Sequence, residues 1–386
     1  MRICNILSLA RESLWSIVVV LSSFVPLSCT GQDESDRQNV SKPNAQRQEV
    51  YREGESGYEC YRIPAIVTLQ DGTLLAFAEA RRLRSNGDSG EIDLVVKRSS
   101  DEGMTWSSAI TVWEDARNTC GNPAPIVTSS GKVHLLMTWN NGQDKWSSIS
   151  SGSSHDTRRI FHTYSEDGGI SWSTPKELTE KVKGVDWKWY GTGPCHGIET
   201  RSGRIIVPCY YSVVENGKTE SYSHVIYSDD DGNTWQSGAA VSGRGHGECS
   251  VAELKDGSLL LNMRTSGTDR RSSARSSDGG ETWSQPIVEQ IQVDSDCQGS
   301  ILADGNTVFL SNAASVSERI NMTIRRSDDA GKNWNSGLSI WGGPSGYSDM
   351  TFTRSGKIVL FYEKGNKRYT ESLAVQIVDP RLLEER

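Results

Sequence analysis

Nine residues of this chain pair a chemically capable side chain with a recurring position. Arg62, Glu248 and Tyr347 precede Gly72, Gly257 and Gly356 by ten, nine and nine residues, while Glu79, Arg81, Arg264 and Glu363 follow the same glycines by seven or nine. Asp88 and Arg319 stand further on, ahead of apolar segments. An arginine guanidinium is a planar fork of donors that meets a carboxylate with two parallel, charge-assisted hydrogen bonds. Carboxylic acids give and take protons. Arginines, acids and a single tyrosine brought together are what a concave site for a small anion needs. Taken singly, each is equally well a solvated loop charge. The shared spacing carries the reading.

The glycines belong to a repeat. An apolar strand, a turn built on Gly and a second apolar strand recur around Gly72, Gly131, Gly203, Gly257, Gly305 and Gly356. A second repeat, Ser-x-Asp-x-Gly-x-(Ser/Thr)-Trp, runs from Ser99 to Trp106, Ser165 to Trp172, Ser228 to Trp235, Ser276 to Trp283 and Ser327 to Trp334, the last with Asn333 at the hydroxyl position. Its Asp bonds nearby backbone amides, its Gly supplies positive φ and its Trp packs the turn on the sheet, so these aspartates read as staples rather than catalysts. The two repeats predict an all-β fold, a six-bladed β-propeller with four antiparallel strands per blade. Strand direction alternates within a blade. The nine residues therefore fall on one face and the Asp-containing turns on the other.

Tyr61-Arg62-Ile63-Pro64 resembles the motif that opens the propeller of the retaining exo-α-sialidases (neuraminidases), and the five repeats resemble that family's Asp-boxes, or BNR repeats. The resemblance covers about residues 50 to 375. It implies that Arg62, Arg264 and Arg319 bind the substrate carboxylate, that Tyr347 is the nucleophile with Glu248 as its partner, and that Asp88 is the acid/base. It also implies that Glu363 steadies the first arginine, with Glu79 and Arg81 in support at the ring hydroxyl or the carboxylate. Such chemistry suits sialic acid, whose anomeric carbon bears a carboxylate that would repel an acidic nucleophile. Sialidases are the exception among glycosidases in using tyrosine there. A phenol titrating near ~10 needs an adjacent base, the part given to Glu248. Neither a metal nor an organic cofactor is required. Tyr210 and Asp296 are lesser candidates, and Trp187, Trp189 and Tyr190 fit either an aglycone subsite or packing under a loop. His196 and His246 read as satisfied loop histidines. Cys195 stands where the family has a glycine.

The alternatives are a non-catalytic glycan-binding Asp-box propeller and a trans- or intramolecular sialidase variant. Sialylated glycoproteins, glycolipids or oligosaccharides are the expected partners. With only 35% hydrophobic residues, 37 glycines and 12 tryptophans, the composition suits one large all-β domain. A net charge of -8 without a basic stripe argues against nucleic acid. Residues 1–29 read as an export signal, with an apolar run from Leu14 to Leu27 too short for a bilayer span. Its end at Ser28-Cys29 fits a lipoprotein layout, which would attach the chain to a membrane through Cys29; plain cleavage or an uncleaved anchor fits as well. The protein is expected to be periplasmic, cell-surface or secreted, with residues 30–48 as a polar linker and 49–386 as the catalytic domain. Six cysteines after the leader show no metal spacing and read as buried thiols.

Overall fold

The computed structural model describes residues 47–384, so the export signal, Cys29 and nearly all of the polar linker lie outside the described residues. Almost every regular element is a β-strand, and the strands pair as antiparallel meanders in curled sheets. The first meander is Cys60–Thr68, Leu74–Arg81, Ile92–Ser99 and Ile110–Trp113. A second runs from Thr119–Val127 through Val133–Asn140 and Arg159–Ser165 to Lys176–Glu177. A third is built on the long hairpin Ile205–Glu215 and Lys218–Ser228. A fourth comprises His246–Glu253, Leu259–Thr265, Arg270–Ser276 and Ile287–Val293. Gly299–Asp304, Thr307–Ala313 and Ile320–Ser327 follow, and the long strand Leu338–Phe352 closes that meander with its first half while opening the next with its second. Ile358–Lys364 and Ser372–Val378 continue, and the outermost place is taken by Arg47–Arg52 from the other end of the described chain. Arg47 and Gln48, expected in the linker, pair instead with Gln376 and Val375. A sheet edge left open there would expose a row of unpaired backbone groups.

The two-residue period of a strand explains how the meanders stack. Along Leu74–Arg81, Leu74, Ala76, Ala78 and Ala80 pack with Val359, Phe361 and Val375, whereas Leu75 and Phe77 pack with Leu135 and Met137. Each sheet is apolar on both faces, and each face seals against a different neighbour. Segments of several meanders meet at Asp349, which is fully buried. Its carboxylate accepts from the amides of Ile66 and His196 at 2.9 Å each, from the His196 ring at 2.7 Å and from the Ser300 hydroxyl at 2.7 Å. One carboxylate thus ties together segments more than a hundred residues apart. His246, with His196 set aside as structural, faces the Thr265 hydroxyl at 3.3 Å. All six described cysteines are buried and unpaired.

The repeated turns are staples in the sense expected. Asp101 accepts from the Thr105 amide at 2.9 Å and the Thr105 hydroxyl at 2.6 Å, and the Trp106 indole donates to Gly103 at 3.2 Å. The Thr105 contacts hold the Asp101 carboxyl down at about 2. Against a desolvation that acts the other way, contacts from Ser171, Thr282 and the Asn333 amide hold Asp167, Asp278 and Asp329 at about 2 as well. Because the folded-state values lie below the ~3.9 of an unfolded Asp, this stabilisation is present above ~4 and is lost as pH falls through about 2. The melting temperature should therefore drop between about pH 4 and 2, and Asp101→Asn should shrink that drop. A melting temperature flat across this window would contradict the staple role. Exposure of these turns keeps each contribution small.

Candidate active site

Three strands change register at or beside a site residue: between Arg62 and Ala65, between His246 and Cys249 (which brackets Glu248), and between Ser345 and Ser348 (which brackets Tyr347). A bulge inserts a residue out of ladder and re-aims its side chain, which is how an inner strand turns a polar group toward a cavity instead of a neighbouring sheet. Ile63 takes up the strain at the first bulge with φ 59°. At the third, Gly346 is required because a Cβ there would run into the Glu363 carboxylate.

Arg62, beside the first bulge, and Glu248 and Tyr347, within the other two, converge with the hairpin residues opposite them. Tyr347 donates its phenol proton to Glu248 Oε1 at 2.5 Å. Arg264 donates from Nη1 to Glu248 Oε2 at 2.8 Å, and the same nitrogen lies 3.5 Å from the Tyr347 oxygen. The guanidinium groups of Arg62 and Arg319 lie 5.0 and 5.3 Å from the Tyr347 ring centre. Glu363, fully buried, takes Arg62 in a two-pronged pair at 2.9 and 3.2 Å. Its two oxygens also accept from the amides of Ile63 at 3.3 Å and Tyr347 at 3.0 Å. One acid therefore sets both the first arginine and the backbone under the tyrosine. Burial and then the Glu248 charge push the Tyr347 phenol well above its ordinary range, with Arg264, Arg319 and Arg62 pulling the other way.

A cavity of about 720 Å³ opens over this group, lined by Arg62, Asp88, Glu248, Arg264, Arg319 and Tyr347 and also by Trp146, Trp189, Tyr210 and Glu220. Six of the nine residues singled out by spacing thus share one concave wall, and Glu363 stands directly behind it. Asp88 lies in the loop ahead of Ile92–Ser99 with its side chain 46% exposed. Arg81 holds it at 2.8 Å. Desolvation would raise the Asp88 carboxyl, but Arg81, Arg62 and Arg158 together hold it at about 2.

Glu79 and Arg81, expected in support, stand behind the cavity wall. Both are buried and neither lines the cavity. Glu79 takes Nε and Nη2 of Arg81 at 3.0 and 2.5 Å and the Asn122 amide at 2.8 Å, so the pair forms a floor beneath Asp88. They sit on alternate residues of one strand. Trp187 stacks on Tyr211 at 3.6 Å and Tyr190 is fully buried, which settles both as packing. Trp189 does reach the cavity, and its indole donates to the Tyr210 hydroxyl at 3.0 Å. Cys195 is buried with its thiol directed at the Cys249 carbonyl at 3.5 Å, away from the cavity.

Arg158 escaped the sequence reading. It is almost fully buried, lies 3.8 Å from the Trp189 ring centre, reaches Asn122 at 3.2 Å, and has no hydrogen-bond partner at Nε or Nη1. The available signal was its place just ahead of a third strand, as with Arg319. Tyr369, 5.3 and 5.5 Å from the guanidinium groups of Arg62 and Arg319, has no such signal. Among the described residues no cluster of His, Cys, Asp or Glu is arranged to hold a metal ion.

Residues 72–360 match the BNR repeat-like domain. The chain is 32% identical over 333 residues to an exo-alpha-sialidase of Aspergillus fumigatus, spanning 78% of each protein. It is 31% identical over 390 residues to a sialidase of Paraclostridium sordellii, spanning 92% of this chain and 95% of that one. Among solved structures it is similar to the Hadza microbial sialidase Hz136, with a TM-score of 0.78 and 25% identity over 87% of this chain and 69% of that one. Trypanosoma rangeli sialidase shares the fold at a TM-score of 0.72 and 22% identity, over 87% of this chain and 60% of that one.

Proposed function

The chain belongs to the family of sialidases with BNR repeats, and from that premise we propose that it is a retaining exo-sialidase working through a covalent intermediate on Tyr347. It is a glycoside hydrolase, an exo-alpha-sialidase, and its substrates are glycans that carry sialic acid. The observation that carries the mechanism is the 2.5 Å contact of Tyr347 with Glu248 inside a ring of three arginines.

The substrate carboxylate enters among Arg62, Arg264 and Arg319, each charge-assisted hydrogen bond contributing roughly 1.5–3 kcal/mol. This places the anomeric carbon at the Tyr347 oxygen. As the phenol oxygen forms its bond to that carbon, its proton passes to Glu248 and the glycosidic oxygen leaves with a proton from Asp88. Phenol, not phenolate, is the resting state, since its ionisation is strongly disfavoured until the bond forms. Water then attacks the same carbon with Asp88 as base, and Tyr347 recovers its proton from Glu248. Two inversions give net retention.

The reading also takes the meanders as six blades about one axis. Its support is the packing of each sheet between two neighbours, the strand Arg47–Arg52 completing the last sheet, and the Asp349 hub. Export, with or without attachment through Cys29, belongs to the same reading and rests on the apolar run from Leu14 to Leu27.

The stereochemistry is checked by proton NMR during hydrolysis of an aryl α-sialoside. The α-anomer of free sialic acid should appear first and then mutarotate. A β-anomer as first product would defeat the covalent mechanism.

A further inference from the structure

Asp296 is joined to two of the three arginines at once. Its side chain takes Arg264 Nε at 2.7 Å and the Ser266 hydroxyl at 3.2 Å, and its main-chain carbonyl takes Arg319 Nη2 at 3.3 Å. Both contacts are made because the residue sits in the left-handed region, φ 58°, where carbonyl and side chain are turned toward neighbouring arginines. For a residue other than glycine such a conformation is strained, and Asp and Asn bear it best. The carboxylate is half-exposed at the cavity wall. Desolvation would raise it, but the hydrogen bond and charge of Arg264 keep it below the ordinary aspartate range.

Arg264 is thus shared. Its Nη1 serves Glu248 and faces Tyr347, and its Nε serves Asp296. Arg264 and Tyr347 touch Glu248 directly, and Tyr210 faces its charge from the neighbouring strand. We propose that Asp296 is a positioning residue of the reaction, which draws part of the Arg264 charge away from Glu248 and so leaves Glu248 able to take the Tyr347 proton. Without this counter-charge, more of the Arg264 charge falls on Glu248, and a carboxylate held by a less shared cation is a poorer proton acceptor. The proposal rests on the roles given above to Tyr347 and Glu248.

Asp296→Asn is the test. Asn has the same shape, tolerates the left-handed conformation, and can still accept from Arg264 Nε and present its carbonyl to Arg319, so the variant removes the charge and little else. The expected result is a kcat on an aryl sialoside lowered about tenfold, a fraction of the 10² to 10⁴ that acid–base catalysis supplies. Calorimetric affinity for a 2,3-unsaturated sialic acid analogue should be unchanged or tighter, because a negative charge has left the wall of an anion site. An unchanged kcat overturns the proposal. So does a loss of affinity in step with activity, or a loss of activity with a lowered melting temperature, since either would reduce Asp296 to holding the shape of the site. Wild-type protein inert toward the aryl sialoside would instead defeat the functional reading itself.

Discussion

Tyr347→Phe is expected to lower turnover of sialosides by about 10³-fold or more while affinity for an unsaturated sialic acid analogue survives. The scale is that of removing a nucleophile whose role no other group can take. The substitution deletes one oxygen, the one that donates to Glu248 at 2.5 Å. It leaves the Tyr347 amide on Glu363, the Arg62–Glu363 pair and the Arg264–Glu248 pair in place, and these shape the anion site. Mass spectrometry after inactivation with a fluorinated sialosyl reagent should find the label on Tyr347 in the wild type and none in the variant. A label on Glu248, Asp88 or any other carboxylate would replace the mechanism with a two-carboxylate scheme.

Asp88→Ala should discriminate between leaving groups. A phenolate departs without much protonation, whereas the alcohol oxygen of a sugar departs poorly without an acid. The first step should therefore slow by roughly 10² to 10⁴ on sialyllactose and much less on an aryl sialoside. Pre-steady-state bursts isolate that step from the water attack, which Asp88 also assists. Asp88 is held at about 2 by its cationic neighbours, so it is ionised at neutral pH and must gain a proton to act as an acid. The substrate supplies the means: its carboxylate neutralises Arg62, one of the cations holding Asp88 down, and its body dries the loop. Both changes raise the Asp88 value, so binding of the unsaturated analogue should take up protons, seen as a buffer-dependent heat in calorimetry. Equal loss on both substrates would remove Asp88 from the acid role. The next acids along the chain are engaged elsewhere, Glu91 with Arg82 at 2.8 Å and Asp93, in the strand Ile92–Ser99, with the Tyr58 hydroxyl at 2.6 Å, and neither lines the cavity.

What the amino-acid sequence determined by itself is the part of the protein written in short-range physics. A Ser-x-Asp-x-Gly turn closes its hydrogen bonds within eight residues, as Ser99 to Trp106 does, and a hairpin around Gly72 pairs Thr68 with Leu74. Such units form wherever their residues occur, so their recurrence was legible, and with it the face on which Arg62, Asp88, Glu248, Arg264, Arg319 and Tyr347 stand. Contacts between distant segments were decided only in the folded chain. The strand Arg47–Arg52 completes the sheet of Ser372–Val378 and Asp349 gathers segments from several meanders, while the reach of Glu363 to Arg62 across 301 positions was legible only through the family resemblance. Burial was equally out of reach. Glu79 and Arg81 have the spacing of the cavity residues, yet they are buried behind its wall, and the place of Arg158 ahead of a strand does not tell that it lies against Trp189. The reason is common to all of these. Side-chain direction along a strand follows a two-residue period that can be read residue by residue, while the partner that direction meets depends on how separate sheets close upon one another.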